Sequence, residues 1–180
     1  NLSILRRCYS DQPRMAMFTC ALLLAVSASA HAAEEINVTL RDSRRERDVV
    51  ATICMGQPSQ RDLYVFAHGG GLYAADYAYL CESSFPGVVA RLVSPASDDP
   101  MDLSLMASDV IFLAEALPRE SREDASSPLF GRLTSSVVLA GHSMGAAAVL
   151  LAGADAPAAV KAVMAIAPGF WGPQQSSLLT

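Results

Sequence analysis

Gly141-His142-Ser143-Met144-Gly145 places a serine hydroxyl midway between two glycines. The apolar run Val137 to Ala140 precedes it and the small-residue-rich stretch Ala146 to Gly153 follows. Ser143 therefore stands where a strand turns into a helix, the context in which G-x-S-x-G exposes a nucleophile. So tight a turn strains the serine backbone, and the flanking positions must be small to let neighbouring backbone approach. Ser143 Oγ is then lifted above the carboxyl edge of a sheet, where open α/β sheets bind ligands. The helix N-terminus aims its free N–H groups at the same spot, and the Met144 N–H can donate to a developing oxyanion. The chemistry is attack of a hydroxyl on a carbonyl carbon.

A second group lies upstream. His68-Gly69-Gly70-Gly71 directly follows the apolar run Leu63 to Ala67. An oxyanion hole needs unhindered N–H donors on a loop after an earlier strand, and three glycines supply them with no side chain in the way. Gly70 and Gly71 are the donor candidates, Gly70 first. His68 reads as a loop-bracing residue that hydrogen-bonds backbone. His142 adjoins the nucleophile on the chain, where its side chain points away from Oγ. Neither histidine is placed to act as general base.

Strands and helices alternate around these two groups. Ile36, Val38 and Leu40 alternate as in a strand, Asp42 to Arg47 is a polar turn, and Asp48 to Met55 is a second β-rich run. Together they predict a hairpin. Leu63 to Ala67 and Val88 to Val93 are apolar without alternation, the pattern of strands buried on both faces. Asp76 to Phe85 reads as a helix stopped by Pro86-Gly87. Leu103, Met106, Val110, Leu113 and Leu117 recur at helical spacing, which predicts an amphipathic helix from Asp102 to Leu117, ended by Pro118. Arg119 to Pro128 reads as a charged, serine-rich surface loop. Val160 to Ala167 is one more strand, ended by Pro168-Gly169. Such alternation implies crossover connections. The fold class is α/β: a mostly parallel sheet with an antiparallel N-terminal hairpin and flanking helices.

From Ile36 to Gly169 the sequence resembles the bacterial α/β-hydrolase group of chlorophyllase-like, dienelactone-hydrolase-like and polyester-hydrolase-like serine esterases. The resemblance is carried by the Asp42 to Asp48 hairpin with its arginines, by Phe66-Ala67-His68-Gly69-Gly70-Gly71, by Asp76-Tyr77-Ala78-Tyr79-Leu80, and by Leu139-Ala140-Gly141-His142-Ser143-Met144-Gly145-Ala146-Ala147. It implies an α/β-hydrolase fold and esterase activity on a small-molecule or polymeric ester. It also implies Ser143 as nucleophile, with N–H groups of Met144 and the glycine loop as oxyanion donors. Tyr73, beside the loop, then lines the acyl pocket or merely packs, and His142 is a second pocket candidate. No cofactor is implied.

In these hydrolases the triad order is serine, acid, histidine. After Ser143 the sequence holds one acid, Asp155, and no histidine. Asp155 lies just past the nucleophile helix, the wrong place for the triad acid. Asp98 and Asp99 precede the nucleophile and belong to a surface loop. The expectation is an incomplete hydrolase domain, without the triad acid and histidine, and inactive as it stands. Two alternatives remain open: a non-catalytic hydrolase-fold module that binds a ligand in the same cleft, and an acyltransferase in which another hydroxyl replaces water.

The chain has 180 residues, 52% apolar and 17% charged, which excludes a disordered chain. A formal net charge of -5 argues against a nucleic-acid partner. The arginines between Arg41 and Arg47 are interleaved with Asp42, Ser43 and Glu46, as in a solvated turn. Residues 15–32 carry the pattern of a secretory signal peptide: Arg14 before it, an apolar core reaching Ala30, and Ala30-His31-Ala32 as cleavage site, cut after Ala32. The apolar core is too short to anchor in a bilayer. This predicts a secreted or periplasmic protein whose hydrolase portion is 33–180. Residues 1–14 precede the initiator candidates Met15 and Met17 and are expected to be upstream sequence with no structure or function. Of the four cysteines, Cys54 and Cys81 follow the cleavage site and form either one disulfide or two buried free thiols. With no CxxC and only three histidines, no metal site is expected.

Overall fold

The computed structural model describes residues 34–55, 61–81, 87–94 and 102–169. Residues 15–32, where a signal peptide is expected, the 1–14 stretch, Asp98 and Asp99 lie outside the described residues. Six strands form one sheet: β1 (Glu34–Asp42), β2 (Arg47–Met55), β3 (Arg61–Ala67), β4 (Val88–Val93), β5 (Leu133–His142) and β6 (Val160–Ile166). Two helices are α1 (Leu103–Glu123) and α2 (Met144–Ala154), and Ala74–Cys81 winds as short 3-10 turns. The strand order is β1-β2-β4-β3-β5-β6. The hairpin β1–β2 and the pair β2–β4 are antiparallel, whereas β4–β3, β3–β5 and β5–β6 are parallel. The protein is thus of the α/β class, with an antiparallel hairpin leading into a parallel sheet.

Alternation along the strands assigns the two faces, because successive side chains point to opposite sides. Val49, Ala51 and Ile53 of β2, Leu63 and Val65 of β3, Ala90 and Leu92 of β4, and Val137 and Leu139 of β5 join one apolar core with Val110, Leu113, Leu117, Ala148 and Val149 of the helices. The intervening Cys54, Phe66, Val89 and Ala140 face the other way and pack with Tyr77 and Leu80 from the 3-10 segment. The central strands are therefore buried on both faces, as their unbroken apolar runs require.

Three expectations are corrected. First, α1 passes through Pro118 to Glu123, so Arg119 to Glu123 is helix rather than surface loop. Proline forfeits one backbone bond, yet tertiary packing holds the last turns: Leu117 and Ser121 are buried, the Leu133 N–H donates to Ser121 Oγ (3.0 Å) and the Gly131 N–H to the Ser121 carbonyl (2.8 Å). Second, the helix expected from Asp76 is the 3-10 segment from Ala74, with Tyr77 off helical geometry (φ -108°, ψ 23°). Burial of Ala74 and Tyr77 and a Cys54–Cys81 disulfide (Cα–Cα 5.2 Å) decide its path, and Phe85 lies outside the described residues. The disulfide resolves the cysteine alternatives. Third, the hairpin arginines are not simply solvated. Arg45 and Arg47 reach Asp109 of α1 at 2.7 and 3.1 Å, and Asp42 caps the turn by accepting from the Arg44 N–H (3.0 Å). The outermost strand of the described sheet on the parallel side is β6, and its Val163, Met164 and Ile166 are exposed.

Candidate active site

Ser143 occupies the single residue between β5 and α2, with φ 53° and ψ -116°. That conformation is costly for any residue with a Cβ and persists only where its surroundings over-determine it. Here they do. The Ser143 N–H donates to the Ile166 carbonyl (2.9 Å), and the Ser143 carbonyl accepts from the N–H groups of Ala146, Ala147 and Gly169 (3.1, 3.2 and 3.0 Å). The backbone is pinned on both sides, while the hydroxyl makes no capping bond to the helix.

The flanking glycines are sterically required. A Cβ on Gly141 would overlap the Gly145 carbonyl group and lie 2.8 Å from the Ala146 nitrogen. A Cβ on Gly145 would overlap the Ala67 carbonyl. Ala67 ends β3, so this close packing sets the start of the glycine loop against the serine turn. A Cβ on Gly69 would meet His142 Nδ1 at 3.1 Å and Ser143 Cβ at 3.3 Å, and one on Gly70 would touch the Met144 side chain at 3.7 Å. The two segments read from the sequence as partners are thus in contact.

Their N–H groups are not equivalent. The Gly69 N–H is consumed by Tyr77 Oη (3.1 Å). The Met144 N–H, at the first position of α2, has no acceptor within its own helix. The glycine loop also packs on this turn, since a Cβ on Gly70 would lie 3.7 Å from the Met144 side chain. Gly71 sits in a turn closed by the Leu72 N–H on the Gly69 carbonyl (3.2 Å), with φ 69° and open space around it. No contact brings Gly71 to Ser143. Tyr73 is 55% exposed beside the loop, its N–H held by Asp76 Oδ2 (2.7 Å).

His68 is 2% exposed and bonds through Nδ1 to the Gly69 carbonyl (3.0 Å), the bracing role expected of it. Its Nε2 is buried without a partner among the described residues. His142 is half-buried and meets Tyr77 Oη through Nδ1 at 2.8 Å. Asp155 caps the C-terminus of α2. Among the described residues no histidine or carboxylate hydrogen-bonds Ser143 Oγ.

Sequence reasoning missed the frame behind this arrangement. Tyr77 is 4% exposed, packs on Phe66 (ring centroids 4.7 Å) and joins glycine loop to serine turn through one hydroxyl. Burial pushes its phenol above the ordinary range, against the opposing pull of the Gly69 N–H. The buried Arg91 donates to the Ala74 carbonyl and to Glu35 Oε1, both at 2.8 Å, and so anchors the 3-10 segment at its start. The disulfide anchors it at its end. An aromatic inside Asp76-Tyr77-Ala78-Tyr79 and a lone arginine inside an apolar strand were the available signals.

Glu35, Cys54 and Cys81 lie within 4.8 Å of one another, but the sulfurs are bonded together and Glu35 is taken by Arg91, so the group does not fit a metal. A cavity of about 410 Å³ lies elsewhere, between the hairpin turn and α1, lined by residues including Arg44, Arg45, Phe112, Glu115 and Arg119. It includes neither Ser143 nor the glycine loop. Compared with known families and curated proteins, the sequence gives no significant match to any family model or curated sequence.

Proposed function

We propose that this chain carries the nucleophile half of a serine hydrolase of the α/β-hydrolase type, acting on carboxylic esters through an acyl-enzyme on Ser143. The observation that carries the reading is Ser143 itself: a strained backbone with N–H and carbonyl both bonded and a hydroxyl left unbonded at the N-terminus of α2. In the reaction, Oγ attacks the ester carbonyl carbon and the carbonyl π pair moves onto oxygen. The N–H groups of Met144 and Gly70 receive that oxyanion. Its collapse expels the alcohol, and water releases the acyl group by the same path. A base must take the Oγ proton. Among the described residues His68 and His142 are engaged elsewhere and Asp155 lies at the far end of α2, so the reading assigns none of them as acid or base. The substrate is a small-molecule or polymeric ester. The signal-peptide pattern supports a secreted or periplasmic location. No helix among the described residues is long and apolar enough to cross a membrane.

Sequencing the source DNA past the codon for Thr180 and assaying the encoded protein on short p-nitrophenyl esters tests this. The expected result is an acid and a histidine downstream, and a burst of p-nitrophenol that Ser143→Ala abolishes. Ester turnover unchanged in Ser143→Ala would overturn the reading.

A further inference from the structure

Tyr77 Oη faces two groups whose roles are not interchangeable. The Gly69 N–H can only donate, so at 3.1 Å the phenol oxygen accepts from it. The phenol carries one proton of its own, and its second neighbour is His142 Nδ1 at 2.8 Å. Were Nδ1 protonated, a buried phenolic proton would have no acceptor, an arrangement proteins avoid. Nδ1 is therefore the bare nitrogen, and the proton of the neutral imidazole sits on Nε2. Burial keeps the phenol protonated and able to donate.

His142 Nε2 differs from its counterpart in His68. The His68 Nε2 is sealed in the interior, whereas the His142 ring is half-buried and its Nε2 is not among the buried unpartnered atoms. It has no hydrogen-bond partner among the described residues. The ring adjoins Ser143 on the chain, and its orientation is held by a frame anchored through the disulfide, Arg91 and Phe66. A donor so fixed is left unpaired by a ligand that lacks an acceptor, and such sites discriminate strongly.

We infer that Tyr77 locks His142 as the Nε2–H tautomer, and that this N–H is a fixed donor beside Ser143 that selects esters carrying a second acceptor oxygen. Tyr77 is a positioning residue and His142 the specificity-determining one. The role at Ser143 rests on the hydrolase reading, whereas the tautomer does not.

Long-range proton–nitrogen correlation spectra of histidine-labelled protein at about pH 8, above the ordinary imidazole range, read the tautomer directly. The expected result is a bare Nδ1 and a protonated Nε2 in the wild type, and a mixture of both forms in Tyr77→Phe. A protonated Nδ1 in the wild type, or a single unchanged form in Tyr77→Phe, overturns the lock. The wild-type spectrum decides even if the variant does not fold. Titration of Ser143→Ala with dimethyl succinate and with methyl pentanoate, neither of which it consumes, reads the selectivity. About tenfold tighter binding of the diester is expected, with the Nε2–H resonance shifting for the diester alone. Equal binding, or none, overturns the selectivity. Ester turnover that survives Ser143→Ala in the assay above removes the hydrolase reading and with it the selectivity at Ser143, and leaves the tautomer standing.

Discussion

Gly145 in α2 lies so close to the end of β3 that a Cβ on it would overlap the carbonyl group of Ala67. The overlap is with backbone at the end of a central strand, so no side chain can swing away to relieve it. Gly145→Ala is expected to destabilise the fold by about 1–3 kcal/mol, the usual range for overpacking. Thermal melts of variant and wild type check this, and an unchanged midpoint would contradict the close approach.

Ser143 predicts the opposite sign. Its φ of 53° with ψ of -116° suits glycine and penalises every other residue. Ser143→Gly is expected to be more stable than Ser143→Ala by about 1 kcal/mol, since both lack the hydroxyl and only one keeps the strain. Chemical denaturation of the pair measures the difference. Equal midpoints would mean the turn is relaxed.

The Cys54–Cys81 disulfide closes a loop of 27 residues in sequence separation. Loop-closure entropy for that length gives about 3.5 kcal/mol of stabilisation. A dithiol reductant, or the double variant Cys54→Ala with Cys81→Ala, is expected to lower the denaturation midpoint accordingly. Reduction should also blur the His142 resonance, because the 3-10 segment loses its terminal anchor. Stability indifferent to reductant would show that the two sulfurs are not joined in solution.

Asp42 and Asp109 share Arg45 but respond to pH in opposite directions. The Arg45 hydrogen bond holds the Asp42 carboxyl below its ordinary 3.8, so its contribution is present above that pH and is lost as pH falls through the lowered value. Burial raises the Asp109 carboxyl despite its two arginines, so the folded state binds the proton more tightly there and stability declines as pH climbs from 3.8 through the raised value. Asp42→Asn should therefore flatten the loss below about pH 4, and Asp109→Asn should remove the decline above it. Midpoints measured from pH 2 to 7 check both slopes, and two variants with parallel profiles would refute the assignment.

The strands and the serine turn were legible because their determinants are local. An unbroken run such as Leu63 to Ala67 can be satisfied only by burial on both faces, and Gly141 with Gly145 declares a turn in which neighbouring backbone must touch. Strand order was not legible, since nothing in β2 or β4 alone states that they pair antiparallel. The same holds for partners far apart in sequence. Arg45 finds Asp109 and Tyr77 finds His142 across more than sixty residues, and neither pair has a spacing that marks it. Pro118 misled for a related reason: the local rule against proline in a helix gave way to the packing of Leu117 and Ser121.

Ser143 is held by groups on both its N-terminal and C-terminal sides, and the two sets do not become present together. Its amide needs the Ile166 carbonyl and its carbonyl takes the Gly169 N–H. A ribosome delivers the chain from the N-terminus, so β5 and α2 exist before either clamp does. The strained turn thus cannot lock until Gly169 has been made, and a nascent chain paused short of it would carry the serine in a slack, unarmed conformation.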